Sequence, residues 1–131
     1  MKEQLVKNEY YELHIDRDKN RIYTIMRGYW PSLDVVPNLE EDFLTAPRIL
    51  QPDYTSLIDV REFKVPGQDV INMFINIENE NSKNYVRKKA ARVVTQPLEK
   101  LAADRVGKES GVKEHTAFFN TVDDAEAWLD E

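Results

Sequence analysis

Two adjoining segments set the terms on which this chain can fold. Tyr54 to Val60 is a short, mainly apolar run bounded by polar residues, and beyond Pro66-Gly67 the residues Val70, Met73, Phe74 and Ile77 fall at i, i+3, i+4 and i+7. The first pattern is that of a buried strand in a parallel sheet, and the second is one apolar stripe of a helix. A buried strand followed by such a helix returns to its own sheet through a right-handed crossover, which makes the chain α/β.

The flanking segments extend this pattern. Tyr11, Leu13 and Ile15 alternate with Glu12, His14 and Asp16, the two-residue period of a strand with one wet face. The polar run Arg17 to Asn20 is a turn, and Arg21 to Gly28 is a second, more apolar strand, so a hairpin opens the domain. Leu39, Phe43 and Leu44, with Ile49 and Leu50 beyond them, predict a first helix behind Glu40, Glu41 and Asp42. Pro37 suits its first turn, and Pro47 ends or kinks it. The stripe from Val70 predicts a second helix to about Glu80, with Asn79 to Asn84 as the turn out of it.

Ala90 to Thr95 is the fourth strand. Thr95 then caps a third helix with Pro97, Leu98, Leu101 and Ala102, which stops at Gly107 or Gly111. Thr116 to Asn120 is the fifth strand, and Thr121-Val122-Asp123-Asp124 resembles a capping box that starts a fourth helix, ending in Trp128-Leu129. The order predicts a mainly parallel five-stranded sheet with an antiparallel edge strand and helices on both faces. Residues 1–9 read as an N-terminal extension and residues 10–131 as a single domain.

Composition removes whole classes of chemistry. The 131 residues include no cysteine, which excludes disulfides, thiolate metal ligands and cysteine nucleophiles and suits a reducing compartment. A net charge of −6 argues against nucleic acid as the main partner, because phosphate neutralisation needs a basic face. No window approaches the roughly 18 apolar residues of a membrane span, and the start of the chain lacks the apolar stretch of a secretory signal. The expected location is the cytoplasm.

Few residues carry a chemical signature. His14 and His115 stand in different strands without metal-ligand spacing, and no GxSxG, GxxxxGK[ST] or GxGxxG occurs. No catalytic residue, metal or cofactor is expected. In open α/β sheets ligands bind beyond the carboxyl ends of the strands. That rule points to Asp59-Val60-Arg61-Glu62-Phe63-Lys64, which leads into the second helix, where free amide hydrogens attract anions. Asp59, Arg61, Glu62 and Phe63 are the candidates there, the alternative being an Asp59–Arg61 salt bridge among solvated charges. Tyr29 and Trp30 are the second candidate pair, either anchoring a partner or ligand or lidding the core. Lys83, Arg87, Lys88, Lys89 and Arg92 place five cations in ten residues, which either flank a buried strand or meet an acidic partner.

Taken together, Arg27-Gly28-Tyr29-Trp30, the segment Ser56 to Pro66, Ala91-Arg92-Val93-Val94 and the terminal segment Ala117 to Leu129 resemble the SpoIIAA-like family, a branch of the STAS domains. The resemblance spans about residues 10 to 129. It implies a small non-enzymatic domain similar to the anti-sigma-factor antagonists, which dock onto a partner protein, and distantly similar to Sec14-like lipid-binding domains. In the antagonists a serine that follows the aspartate matched by Asp59 is phosphorylated to break docking; here Val60 and Arg61 follow instead, and no serine or threonine occurs from Leu57 to Asn81. The expectation is therefore a protein-binding or regulatory domain without that switch, with a carrier of a small apolar ligand or lipid as the alternative. In the carrier reading Tyr29, Trp30, Phe63 and the second helix form the pocket. The sheet edges would also serve a homodimer.

Overall fold

The computed structural model describes residues 2–95 and 115–131. They build a six-stranded sheet in the order β1-β2-β3-β4-β5-β6: Lys2–Lys7, Tyr11–Asp16, Arg21–Gly28, Tyr54–Phe63, Arg87–Val93 and His115–Phe119. β1, β2 and β3 pair antiparallel, whereas β3 through β6 pair parallel. The helices are α1 (Leu39–Ile49), α2 (Gln68–Asn84) and α3 (Val122–Leu129).

The predicted mixed α/β architecture holds, with one strand more than the five expected. Lys2–Lys7, which the sequence assigns to an extension, are the outermost strand. Only Leu5 and Val6 turn inward, onto the cluster around Leu13, Ile15 and Ile22, and Lys2 lies 4.0 Å over the Tyr23 ring. The charged residues that hid this strand are the ones an edge strand shows to water. The third predicted helix, from Thr95 to Gly107 or Gly111, lies outside the described residues.

Parallel neighbours that follow one another along the sheet need crossovers in one direction, and right-handedness then puts their helices on one face. α1 and α2 accordingly share a face, where Phe43 and Phe74 meet at 5.8 Å. α3 covers the other face, on which Ala125 and Leu129 pack against Tyr23, Leu57, Ala91 and Val93. Thr121 caps α3 as the sequence predicts, its side chain accepting from the Asp124 amide at 3.1 Å. A buried cation ties α3 to the sheet: Arg21, 3% exposed, donates to Thr55 Oγ1 at 2.8 Å and pairs with Glu126 and, at 3.0 Å, with Asp130.

Two loops meet at the carboxyl ends of β3 and β4. Gly28 adopts φ +78°, a conformation that favours glycine, and its carbonyl accepts from the Lys64 amide at 3.1 Å. Gly67 donates to the Trp30 carbonyl at 3.0 Å, and a Cβ at Gly67 would lie 2.0 Å from the Pro31 carbonyl oxygen. Close approach, and not backbone freedom, requires glycine there.

Candidate functional site

Alternation along β4 divides its side chains between the two faces. Tyr54, Ser56, Ile58 and Val60 look toward α1 and α2, and Leu57 looks toward α3. The same pleat places Ile22, Thr24 and Met26 of β3 beside them.

Between this sheet surface and the two helices lies a cavity of about 280 Å³. Its walls are mainly apolar: Ile58 and Val60 from β4, Met26 from β3, Phe43 and Ala46 from α1, and Ile71, Phe74 and Ile77 from α2. Val65, 61% exposed, and Lys64 lie on its rim. The volume exceeds the ~150 Å³ of an engineered apolar cavity that takes up benzene. It falls just under the ~300 Å³ at which small-molecule sites begin. The space fits one ring or a short chain and not a two-chain lipid.

Three polar groups interrupt these walls. Ser56 and Thr24 are 4% and 5% exposed and line the cavity. Asn81 of α2 donates through Nδ2 to the Phe43 carbonyl at 3.3 Å, and its Oδ1 is buried with no hydrogen-bond partner. Buried polar groups are normally satisfied, and among the described residues Asn81 Oδ1 is the one buried side-chain atom without a partner. Glu78 and Arg87, also on the wall, pair with each other at 2.7 Å.

The six candidates from the sequence fall in different places. Phe63 lines the cavity. Trp30 is fully buried and packs on Phe63 at 4.7 Å and Phe74 at 5.8 Å, while its Nε1 donates to the Arg27 carbonyl at 2.8 Å. Its side chain is part of the core. Tyr29, its neighbour, is 54% exposed. Asp59 and Arg61 form a bidentate pair, with Nε at 2.9 Å from Oδ1 and Nη2 at 2.7 Å from Oδ2. That hydrogen bonding holds the guanidinium pKa above its ordinary value. Glu62 is exposed. These residues do not converge on one site: Arg61 lies within β4 and not in a loop, because the strand continues to Phe63.

The cationic run is likewise dispersed. Arg87 pairs with Glu78, Arg92 lines the cavity, and Lys89 donates to the Trp128 carbonyl at 3.1 Å and lies 4.8 Å over the Trp128 ring. Among the described residues no three His, Cys, Asp or Glu side chains gather as a metal site, and no helix is long and apolar enough to cross a membrane.

The cavity residues Asn81, Ser56 and Thr24 were not marked by any sequence motif. One signal was available: Asn81 stands four residues after Ile77 and so continues the apolar stripe of α2 with a polar side chain.

A mixed sheet with two helices on one face and a third closing the other defines a small α/β domain. Its fold is SpoIIAA-like, shared with an uncharacterised protein of the DUF3478 family from Shewanella loihica PV-4 whose crystal structure is described in those words. The two agree with a TM-score of 0.69 at 17% identity over 95% of this chain and 98% of that one. No family model and no curated protein matches the sequence. At this identity the likeness is one of backbone path.

Proposed function

We propose that this chain is a non-enzymatic binding domain that holds one small, mainly apolar molecule between the sheet and helices α1 and α2. The observation that carries the reading is the cavity of about 280 Å³, whose mainly apolar walls also carry the Ser56 and Thr24 side chains. Apolar surface left open costs free energy, and a fitting ligand removes that cost. Filling of a preformed pocket also needs little reorganisation of the protein.

The test is a ¹H–¹⁵N NMR titration of the full chain with toluene, together with native mass spectrometry of the purified protein. Toluene is expected to shift the amides of Ile58, Phe74 and Ile77, and Ile58→Trp, which fills the space, is expected to abolish those shifts. Shifts scattered over the outer surface, or none, would count against the cavity.

A second reading, docking of a protein partner, is favoured by one observation. Tyr29 and Val65, 54% and 61% exposed, stand on the two loops joined by the Lys64–Gly28 hydrogen bond. Val65 also lines the cavity. Loss of a co-purifying protein from Tyr29→Asp and from Val65→Asp, with retention by Arg61→Glu, would support docking there. Loss from Arg61→Glu alone would move the contact to the Asp59–Arg61 pair.

A further inference from the structure

Charge is unevenly distributed around the cavity. Among the described residues that line it, Lys64, Arg87 and Arg92 are cationic and Glu78 alone is acidic. Glu78 pairs with Arg87 at 2.7 Å, so the lining carries an excess of positive charge in a chain whose net charge is −6.

The two ends of the space differ accordingly. Arg87 opens β5, so its pair with Glu78 lies where the parallel strands β4 and β5 begin. Lys64 follows Phe63, the last residue of β4, and Arg92 precedes Val93, the last residue of β5. Both cations therefore stand toward the carboxyl ends of adjacent parallel strands, the end at which open α/β sheets bind ligands. Arg92 is aligned with Ile58 across the sheet, on the side that faces the cavity.

Arg92 is half-buried in the wall, and Lys64 is exposed at the rim. The Lys64 ammonium has no ion-pair partner among the described residues. The acids near it in sequence are engaged elsewhere: Asp59 with Arg61, and Asp69 with the Leu33 amide at 3.0 Å. Glu62 is exposed and does not line the space. Arg92 takes part in another contact, and a guanidinium has five donors, more than one acceptor uses.

We infer that the ligand is an amphipathic monoanion, an apolar body of one ring or a short chain whose single acid group lies at the rim and pairs with Lys64, with Arg92 adding a second positive charge from the wall. The assignment rests on the cavity being the binding site proposed above. An acid group at the rim stays in touch with water and so avoids the cost of burying a charge. The chain as a whole repels anions, so a preference for one must come from these local cations, and removal of a cation must remove the preference.

The test compares probes that share one apolar body, toluene, p-toluamide, p-toluate and p-methylbenzylamine, in ¹H–¹⁵N titrations of the full chain at neutral pH and low salt. p-Toluate is expected to bind about fivefold more tightly than the uncharged p-toluamide, equivalent to an ion pair of about 1 kcal/mol in contact with water, and the amine more weakly than both. Lys64→Gln is expected to bring the toluate to toluamide ratio close to one while leaving toluene binding unchanged, and about 1 M salt to compress the ratio in the unaltered chain. Arg92→Gln should lower it by a smaller factor; Lys64→Gln, at an exposed position, decides the matter alone if the Arg92 variant fails to fold. Equal binding of p-toluate and p-toluamide, tighter binding of the amine than of p-toluate, or a ratio that survives Lys64→Gln overturns the anion assignment, while toluene shifts at Ile58, Phe74 and Ile77 keep the cavity as a binding site. Failure of all four probes to shift cavity amides overturns both.

Discussion

Asn81 supplies to the Phe43 carbonyl a donor of the kind that Pro47 cannot. In an α-helix the carbonyl of residue 43 accepts from the amide of residue 47, and Pro47, inside α1, has no amide hydrogen. The Asn81 side chain reaches across from α2 and donates to that carbonyl at 3.3 Å. One interhelical hydrogen bond thus repairs a helix interruption and ties α2 to α1.

The relationship can be measured as a double-mutant cycle. Asn81→Leu is expected to lower unfolding stability by about 1 kcal/mol, the usual worth of such a bond. In a Pro47→Ala background the amide of residue 47 can serve the carbonyl, and the cost of losing Asn81 should fall toward zero. Equal costs in the two backgrounds, read from urea midpoints, would show that Asn81 does not substitute for the missing amide.

Trp30 and Tyr29 are neighbours with opposite roles in stability. Trp30→Ala empties a fully buried site ringed by Phe63, Phe74 and Tyr11 and should cost about 3–5 kcal/mol. Tyr29→Ala, at an exposed position, should stay within about 0.5 kcal/mol. Thermal or urea unfolding of the two variants checks this directly, and similar losses would contradict the burial assigned to Trp30.

Alkaline pH should weaken the fold through two tyrosines. Burial, and then the hydrogen bond to Asp42 at 2.6 Å, raise the pKa of the Tyr11 hydroxyl above its ordinary value. Burial, followed by the bond to Glu126, does the same for Tyr23. The folded chain then keeps protons that the unfolded chain loses above about pH 10, so this stability is complete below pH 10 and declines as pH rises beyond it. Urea midpoints measured from pH 9 to 12 should fall in that window, and more gently for Tyr11→Phe. An unchanged slope in that variant would remove Tyr11 from the account.

Arg21 should anchor α3. Its guanidinium is almost wholly buried and joins β3 to Glu126 and Asp130. Arg21→Met leaves the partly buried Glu126 with only Lys19 at 3.4 Å and the Tyr23 hydroxyl, and is expected to cost about 2–3 kcal/mol, below the 3–5 of a fully enclosed pair because Glu126 keeps those partners and remains in touch with water. Hydrogen exchange in Val122–Leu129 should accelerate more than in β4. Uniform acceleration would mean that the pair stabilises the whole sheet and not the helix attachment.

Much of this architecture was readable from periodicity. The β2–β3 hairpin, the strand from Tyr54, the stripe of α2 and the Thr121 cap all follow from side-chain spacing, which depends on local geometry. Boundaries were less legible where polar side chains serve structural ends. α2 runs past Glu80 to Asn84 because Ser82 and Asn84 return hydrogen bonds to the carbonyls of Asn79 and Glu80, the residue types that otherwise announce a turn. β5 begins at Arg87, its charges absorbed by Glu78 and by the Trp128 carbonyl. The cavity was least legible. Its walls are drawn from β3, β4, α1 and α2, and no spacing within one element encodes that meeting.

The first strand has a protective consequence. β1 presents Lys2, Glu3 and Lys7 to solvent, and its pairing with β2 is offset between Gln4 and Val6. Were it peeled away, the hydrogen-bonding edge of β2 would be laid bare beside Tyr11, Leu13 and Ile15, a template onto which further chains could stack. A few charged residues at the margin therefore guard the molecule against self-association into fibrils.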